Sequence, residues 1–451
     1  MKPKHGSTRP GRNGTWSRSR SSGPTGFPWK AVIVSVLATL LATLLVLNFL
    51  PGEKRLDQQL PRLYGSSDPQ FERTMGVLLG PPVLGGNRYR ALINGDAIFP
   101  AMLDAIRGAR QSITFETYIY WSGEIGQQFA QALSERARAG VKVHVLLDWV
   151  GSQKIEQSYL DEMERAGVHM QKFHPLSWYS LGRLNNRTHR KLLVVDGTRG
   201  FTGGVGIAPE WTGHAQDADH WRDSHFEVQG PVVAQMQAVF VDNWTKTSGQ
   251  VLHGARYFPP IAPLVPGDNG RAQMFSSSPS GGSESMHLMY LAAITAAERS
   301  IDLSSAYFVP DDLTIRALLD ARKRGVRVRV IVPGPVMDSK TVQAASRAMW
   351  GRLLDAGIGI FEFQRTMYHC KVLVLDNLLV SVGSTNFDDR SFRLNDEANL
   401  NIYDPVFAAE QTKIFEDDLK GSKPVTLEEW ENRPLKERMA EKLSTLISTQ
   451  L

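Results

Sequence analysis

The longest uninterrupted feature of the hydropathy pattern is residues 31–50, AVIVSVLATLLATLLVLNFL, twenty residues without a charge. At ~1.5 Å rise per residue such a helix spans the ~30 Å hydrocarbon core of a bilayer, so the pattern predicts a transmembrane anchor. A cleaved signal peptide is the rival reading. Its apolar region is shorter, about 7–15 residues, and is followed by small residues. Here thirty residues precede the segment, and Asn48-Phe49-Leu50-Pro51-Gly52 is a poor cleavage site.

Beyond the anchor the pattern changes period. Helical spacing over 99–110 and 125–139 alternates with strand-like runs at 111–120 and 141–147, and 313–324 and 326–332 repeat the alternation. This predicts an α/β protein with helices covering a mixed sheet. Near the end, Leu435, Met439, Leu443, Leu446 and Ile447 recur at helical spacing among Lys, Arg and Glu. This predicts an amphipathic helix packed on its own domain, with membrane contact as the alternative.

The alternation is a duplication. Ala109-Arg-Gln-Ser-Ile-Thr-Phe resembles Ala297-Glu-Arg-Ser-Ile-Asp-Leu, and Gly140-Val-Lys-Val-His-Val-Leu-Leu resembles Gly325-Val-Arg-Val-Arg-Val-Ile-Val. His189-Arg-Lys-Leu-Leu-Val-Val-Asp resembles His369-Cys-Lys-Val-Leu-Val-Leu-Asp. Order and spacing are kept, as internal repeats require. The expected organisation is a disordered basic tail (1–30), the anchor (31–50), a linker (51–85), one lobe (86–258), a Pro/Gly-rich connector (259–269), a second lobe (270–420) and the C-terminal amphipathic segment (421–451).

Charge sharpens this picture. The 451 residues carry a net +5, but seven Lys/Arg and no Asp or Glu fall within residues 1–30, leaving the remainder at −2. The body lacks the overall basic footprint of a nucleic-acid-binding domain, so no nucleic-acid partner is expected. The basic leader should stay in the cytoplasm, which would put the body outside it. The single cysteine, Cys370, excludes a disulfide framework and a Cys-based zinc site.

The chemistry is concentrated in the repeated motif: His189-x-Lys191-x4-Asp196-x6-Gly203-Gly204, and His369-x-Lys371-x4-Asp376-x6-Gly383-Ser384-Thr385-Asn386. Strand residues i and i+2 share a face, so each His sits beside its Lys, while Cys370 turns to the other face as a core residue. Two imidazoles can serve as nucleophile and as acid for the leaving alkoxide of a phosphodiester. Two lysines and nearby amides can hold the nonbridging oxygens. No metal and no cofactor is required. Asp223 and Glu397 occupy matching positions in Arg222-Asp-Ser-His-Phe and Asp396-Glu-Ala-Asn-Leu. A carboxylate on one ring nitrogen fixes the tautomer. We assign Asp223 to His189 and Glu397 to His369; the pairing can equally be crossed between halves. The run His214, Asp217, Asp219, His220, Asp223 and His225 could suggest a metal site, but reads better as a polar loop at a site rim. Tyr118, Tyr120, Trp121 and Tyr307 follow matching strands, where they either line an acyl-chain entrance or fill the core.

The duplicated motif resembles the signature of the phospholipase D superfamily. Within it, residues 85–451 are similar to bacterial cardiolipin synthases, through Phe201-Thr-Gly-Gly, Trp221-Arg-Asp-Ser-His, Gly383-Ser-Thr-Asn-Phe-Asp-Asp-Arg-Ser-Phe-Arg-Leu-Asn-Asp-Glu-Ala-Asn-Leu and Trp430…Arg433-Pro434. The resemblance implies two pseudo-twofold α/β/α sandwich lobes whose motifs meet in one cleft. It implies a phosphohistidine intermediate, phosphatidylglycerol and an acceptor lipid as substrates, and cardiolipin as product at the bacterial cell membrane. A phospholipase D-type hydrolase, or less readily a nuclease, is the alternative. By the same resemblance His189 is the nucleophile and His369 the acid then base, with the assignment open to reversal. Lys191, Lys371 and Asn386 hold oxygens, with Ser384 close by, and Asp196 and Asp376 support the motif from beyond the buried strand. One departure is that Gly206 stands where the second motif has Asn386.

Overall fold

The computed structural model describes residues 28–47, 56–175, 185–267, 269–279 and 285–445. The expected tail through residue 27, the end of the anchor segment (48–50) and Leu446 and Ile447 lie outside the described residues. Two units are distinguished, 1–47 and 48–451. The first contributes one helix, Trp29–Leu47, nineteen residues long. Ile33, Val34, Val36, Leu37, Leu40, Leu41 and Val46 are exposed along it. Among the described residues no helix is long and apolar enough to cross a membrane. The fold therefore establishes an apolar helix here, and not the expected span.

In the second unit the duplication appears as two sheets of matching order. The first runs Arg88–Ile93, Ser224–Gln229, Arg199–Gly203, Leu192–Val195, Ser112–Thr117, Lys142–Asp148, His169–Phe173. The second repeats it with Arg271–Ser277, Asn395–Tyr403, Leu379–Gly383, Lys371–Leu375, Ser300–Ser305, Arg327–Pro333, Gly359–Phe363. Among these seven strands of each sheet the last three are parallel and the other pairings antiparallel. Parallel neighbours need crossover helices, which is why the helical and strand periods alternate in those stretches of sequence.

The motif strands are central and buried on both faces. Leu193 and Val195 pack with Ile98, Phe99 and Phe129 of the helices Asn94–Gly108 and Glu124–Arg138. Leu192 and Val194 turn the other way, into a cluster shared with Val372, Val374, Val380 and Val382 of the second lobe. Leu373 and Leu375 face their own lobe's helices through Leu313 and Leu318. Each lobe is thus a layered α/β unit, and the two are joined by one hydrophobic layer.

Two stretches behave differently from expectation. Within the presumed linker the helix Pro69–Leu78 is capped by Asp68, and Phe71, Met75 and Leu79 enter the core of the second lobe. Burial of three large apolar side chains holds this segment in place; residues 51–55 lie outside the described ones. At the other end, Ser422–Val425 adds an edge strand to the second sheet. Beyond a short helix, Leu427–Glu431, the helix Leu435–Ser444 rests on the helix Lys340–Asp355, but through its polar side: Leu435, Met439 and Leu443 remain exposed while Glu441 is buried. Inward packing of the apolar stripe is therefore not what the fold does.

Candidate active site

His189 and Lys191 stand at the entry to the strand Leu192–Val195, and His369 and Lys371 at the entry to Lys371–Leu375. All four side chains belong to buried residues. Each lysine turns back on its own motif: Lys191 Nζ donates to the His189 carbonyl at 2.9 Å and Lys371 Nζ to that of His369 at 2.7 Å.

The backbone before each motif crosses to the opposite lobe. Arg187–Thr188 pairs with Asn395 and Asp396, and the His189 amide donates to the Asp396 carbonyl at 2.9 Å. Tyr368 bridges to Arg222, and the His369 amide donates to the Arg222 carbonyl at 2.8 Å. This crossing decides the carboxylates. His189 Nδ1 meets Glu397 Oε1 at 2.9 Å and Oε2 at 3.1 Å. His369 Nδ1 meets Asp223 Oδ2 at 2.7 Å. The pairing within each half, Asp223 with His189 and Glu397 with His369, is thereby corrected: each histidine is oriented by the other lobe. An ionised carboxylate only accepts, so each Nδ1 carries a proton; a neutral ring then presents an Nε2 lone pair and an imidazolium an Nε2 proton.

The two carboxylates are supported differently. Glu397 accepts from the Ser384 hydroxyl and from Asn395 Nδ2 at 3.3 Å. Asp223 accepts from the Trp211 indole at 2.9 Å and from the Ser224 amide at 2.8 Å. The sequence differences follow from space. A Cβ on Gly204 would stand 2.3 Å from Asp223 Oδ1, so the position matching Ser384 must be glycine. A Cβ on Gly206 would stand 2.7 Å from Ile119 Cβ and 3.2 Å from the Trp211 ring. Ile119 and Trp211 thus fill the space beside Gly206, where the second lobe carries Asn386. Asn386 is buried with no partner for its Oδ1 among the described residues.

Aromatic rings close the site. Tyr118 lies edge-on to His189, with ring centroids 5.3 Å apart, and Trp211 and Trp221 lie at 5.2 and 5.4 Å from His369. Tyr307, the counterpart of Ile119, donates to Asp338 Oδ2 at 2.5 Å. Tyr120 is a core residue, its hydroxyl donating to the Gly126 carbonyl at 2.9 Å. Trp121 is partly buried against the first lobe's core.

Burial dominates the electrostatics. It pushes His189 down to about 4, opposed by Glu397, and lowers His369, aided by Lys371. Burial and Lys371 together lower Lys191 to about 7, and burial lowers Lys371. For Asp223 and Glu397 burial acts to raise, but the facing histidines and the lysines hold both carboxyls below the usual range. The result is two imidazoles aligned by anions and two lysines, all four biased by burial toward their neutral forms. That combination can attack, protonate and stabilise a phosphoryl group.

Asp196 and Asp376 stand apart from this chemistry, at the far end of their strands. Asp196 accepts from the amides of Arg110, Gln111 and Ser112 at 2.9, 2.7 and 3.0 Å. Asp376 accepts from Glu298, Arg299 and Ser300 at 2.8, 2.6 and 2.7 Å. Both adopt positive φ. They tie a tight turn to the start of the neighbouring strand, which explains their constant spacing from the histidines. The polar run 214–225 splits up. His214 pairs with Asp96 and His220 with Asp217 near the surface, Asp223 serves His369, and His225 is buried. Among the described residues no group of three or more His, Cys, Asp or Glu side chains is placed to hold a metal ion. Cys370 is buried beside Ile331, Phe363, Tyr368 and Phe415.

Sequence reasoning missed Trp211 and two buried arginines. Arg190 donates to the Val239 carbonyl at 2.9 Å and lies 3.3 Å from Asp242 and 3.6 Å from Asp396. Arg222 makes a two-pronged ion pair with Asp418 at 2.9 and 2.8 Å. A signal was present: at matched positions the halves read Arg190 against Cys370 and Arg222 against Asp396. One arginine is supplied at each lobe crossing, from opposite strands of the repeat.

The chain is similar to known proteins over most of its length. The family model described as "Cardiolipin synthase, PLD-like domain" matches residues 102–244 and 290–419. The chain is 35 % identical over 364 residues to cardiolipin synthase 2 of Bacillus anthracis, covering 80 % of this chain and 70 % of that protein. It is 34 % identical over 406 residues to cardiolipin synthase A of Pseudomonas fluorescens, covering 89 % and 82 %. The crystal structure of a phosphatidylserine synthase from Haemophilus influenzae shares the fold, with TM-score 0.62 at 14 % identity over 85 % of this chain and all of that one. With both halves of the duplicated motif inside the matched regions, the chain belongs to the phospholipase D superfamily, in the family of cardiolipin synthase PLD-like domains.

Proposed function

We propose that the protein is a phosphatidyltransferase that makes cardiolipin from phosphatidylglycerol through a phosphohistidine. The observation that carries this reading is the crossed pair of motifs, two imidazoles each oriented by a carboxylate of the opposite lobe and each followed by a buried lysine. Neutral His189 attacks phosphorus through Nε2, a P–N bond forms, and the bond to glycerol breaks as its oxygen takes the Nε2 proton of His369, which enters the step as an imidazolium held by Asp223 and leaves it neutral. A hydroxyl of a second phospholipid then gives its proton to His369 and attacks phosphorus, releasing His189. Lys191, Lys371 and Asn386 face the phosphoryl oxygens, while Glu397 and Asp223 balance the charge on the rings. A phosphohistidine survives water, present at ~55 M, only if the loaded site is dry, so acceptor binding must close it.

The membrane supplies both substrates, and the apolar helix Trp29–Leu47 supports attachment through the segment 31–50. The basic leader favours a cytoplasmic N-terminus and a catalytic body on the other side. A C-terminal reporter active only in the cytoplasm would overturn that orientation. The reaction itself is tested by thin-layer analysis after adding purified protein to labelled phosphatidylglycerol. Cardiolipin with free glycerol is expected; phosphatidic acid instead would make the protein a hydrolase.

A further inference from the structure

The helix Leu435–Ser444 has its faces the wrong way round for a helix whose outer side meets only water. Leu435, Met439 and Leu443, one turn apart on one face, are 71 %, 59 % and 66 % exposed. Its two acids are both spent: Glu437 lies 3.5 Å from Arg347, and Glu441 is buried against Arg433, whose Nε donates to it at 2.8 and 2.9 Å. Its cations Lys436, Arg438 and Lys442 are exposed and form no ion pair among the described residues. The free side therefore presents three large apolar side chains flanked by three positive charges. A soluble surface helix shows the reverse arrangement.

We propose that this helix is an interfacial docking element that seats the enzyme on an anionic phospholipid surface, its apolar stripe entering the acyl boundary and its cations meeting the headgroups. A second copy of the chain is a poor occupant. Isologous contact through this stripe would set the three cations against their own copies. A ten-residue helix also offers far less than the ~800 Å² per partner of a stable interface. The supporting helix, Lys340–Asp355, begins two residues after Asp338, the acceptor for Tyr307. The docking surface is thus one helix removed from Tyr307, which follows the second lobe's counterpart of the strand that leads to Tyr118. That the docked lipid is also the substrate rests on the function proposed above; docking itself does not.

The test uses the full-length protein and two forms of phosphatidylglycerol: long-chain lipid in vesicles, and a short-chain form dispersed as monomers. In L435E/M439E/L443E, all at exposed positions outside the catalytic machinery, the apparent KM for vesicle lipid should rise about tenfold or more while turnover of the monomeric lipid stays unchanged. K436E/R438E/K442E should do the same and remove the salt sensitivity of the vesicle reaction. A polarity-sensitive dye on Met439→Cys should shift to the blue with phosphatidylglycerol-containing vesicles and not with phosphatidylcholine alone. Vesicle kinetics within twofold of the parent, equal losses on both substrates, or a dye shift that depends on protein concentration without vesicles would each overturn the proposal. If the parent turns over neither lipid, the proposed function fails, while the dye shift still decides the docking.

Discussion

The two halves share strand order, motif spacing and turn chemistry, yet they build two unlike histidine environments. His189 is oriented by a glutamate that a serine hydroxyl and an asparagine support; His369 is oriented by a shorter aspartate held by an indole and a backbone amide. The side-chain lengths compensate. Where the carboxylate is long, the strand turn can carry Ser384; where it is short, Gly204 must yield its space. A duplicated scaffold thus preserves where the imidazoles sit while leaving their surroundings free to specialise. One site can then serve the nucleophile and the other the proton. Because each histidine depends on the other lobe's carboxylate, neither half can be complete alone.

The largest test of this comparison is removal of either imidazole. His189→Ala and His369→Ala should each lower turnover by at least a thousandfold, since residues acting as one unit fail together. To break the asymmetry, His369→Asn with a substrate whose leaving group needs no acid should accumulate acid-labile, alkali-stable label on His189. Label on His369 in His189→Asn would reverse the roles. Next come the crossed carboxylates. Glu397→Gln and Asp223→Asn should each cost about a hundredfold or more in kcat, as expected when the group fixing a catalytic tautomer is lost. In rapid-quench experiments Glu397→Gln should slow formation of the His189 adduct. The same defect in Asp223→Asn alone would contradict the crossing.

Smaller effects sharpen the difference in support. Ser384→Ala removes one bond to an ionised carboxylate, worth about 1.5–3 kcal/mol, and should cost about ten- to a hundredfold in kcat. Gly204→Ser, which places a Cβ 2.3 Å from Asp223 Oδ1, should cost more than that, although it makes the halves more alike. The pH profile separates the lysines. Lys191, lowered to about 7, is charged below that pH and loses its charge as pH rises through it. kcat/KM should therefore decline on the alkaline side from about pH 7, and Lys191→Arg, which stays charged, should flatten that limb. An unchanged limb would assign the decline to His369. The smallest effect on chemistry belongs to Asp196 and Asp376. Asp376→Ala leaves three amides without their acceptor and should cost roughly 3 kcal/mol of stability in denaturant unfolding, with kcat of the folded enzyme retained. Asp196, less buried, should cost less.

Much of this was legible in the chain because it depends on near neighbours in sequence. The duplication, the alternation that buries Leu192 through Val195, the shared face of each His and Lys, and the core position of Cys370 all follow from periods of two and 3.6. Matching positions in the repeat also identified Asp223 and Glu397. Which histidine each carboxylate serves was not legible. The partners are 208 and 146 residues apart, and either pairing satisfies the local pattern equally. Only the pairing of Arg187–Thr188 with Asn395 and Asp396, and of Tyr368 with Arg222, selects the crossed one. Trp211 was invisible for the same reason: its indole reaches Asp223 only when the chain folds back over Gly206. The last helix shows the limit most simply. Periodicity determined that Leu435, Met439 and Leu443 form a stripe, but the free energy of an apolar stripe depends on what lies against it. The ion pairs of Glu437 and Glu441 with Arg347 and Arg433, formed only in the folded lobe, turned that stripe outward.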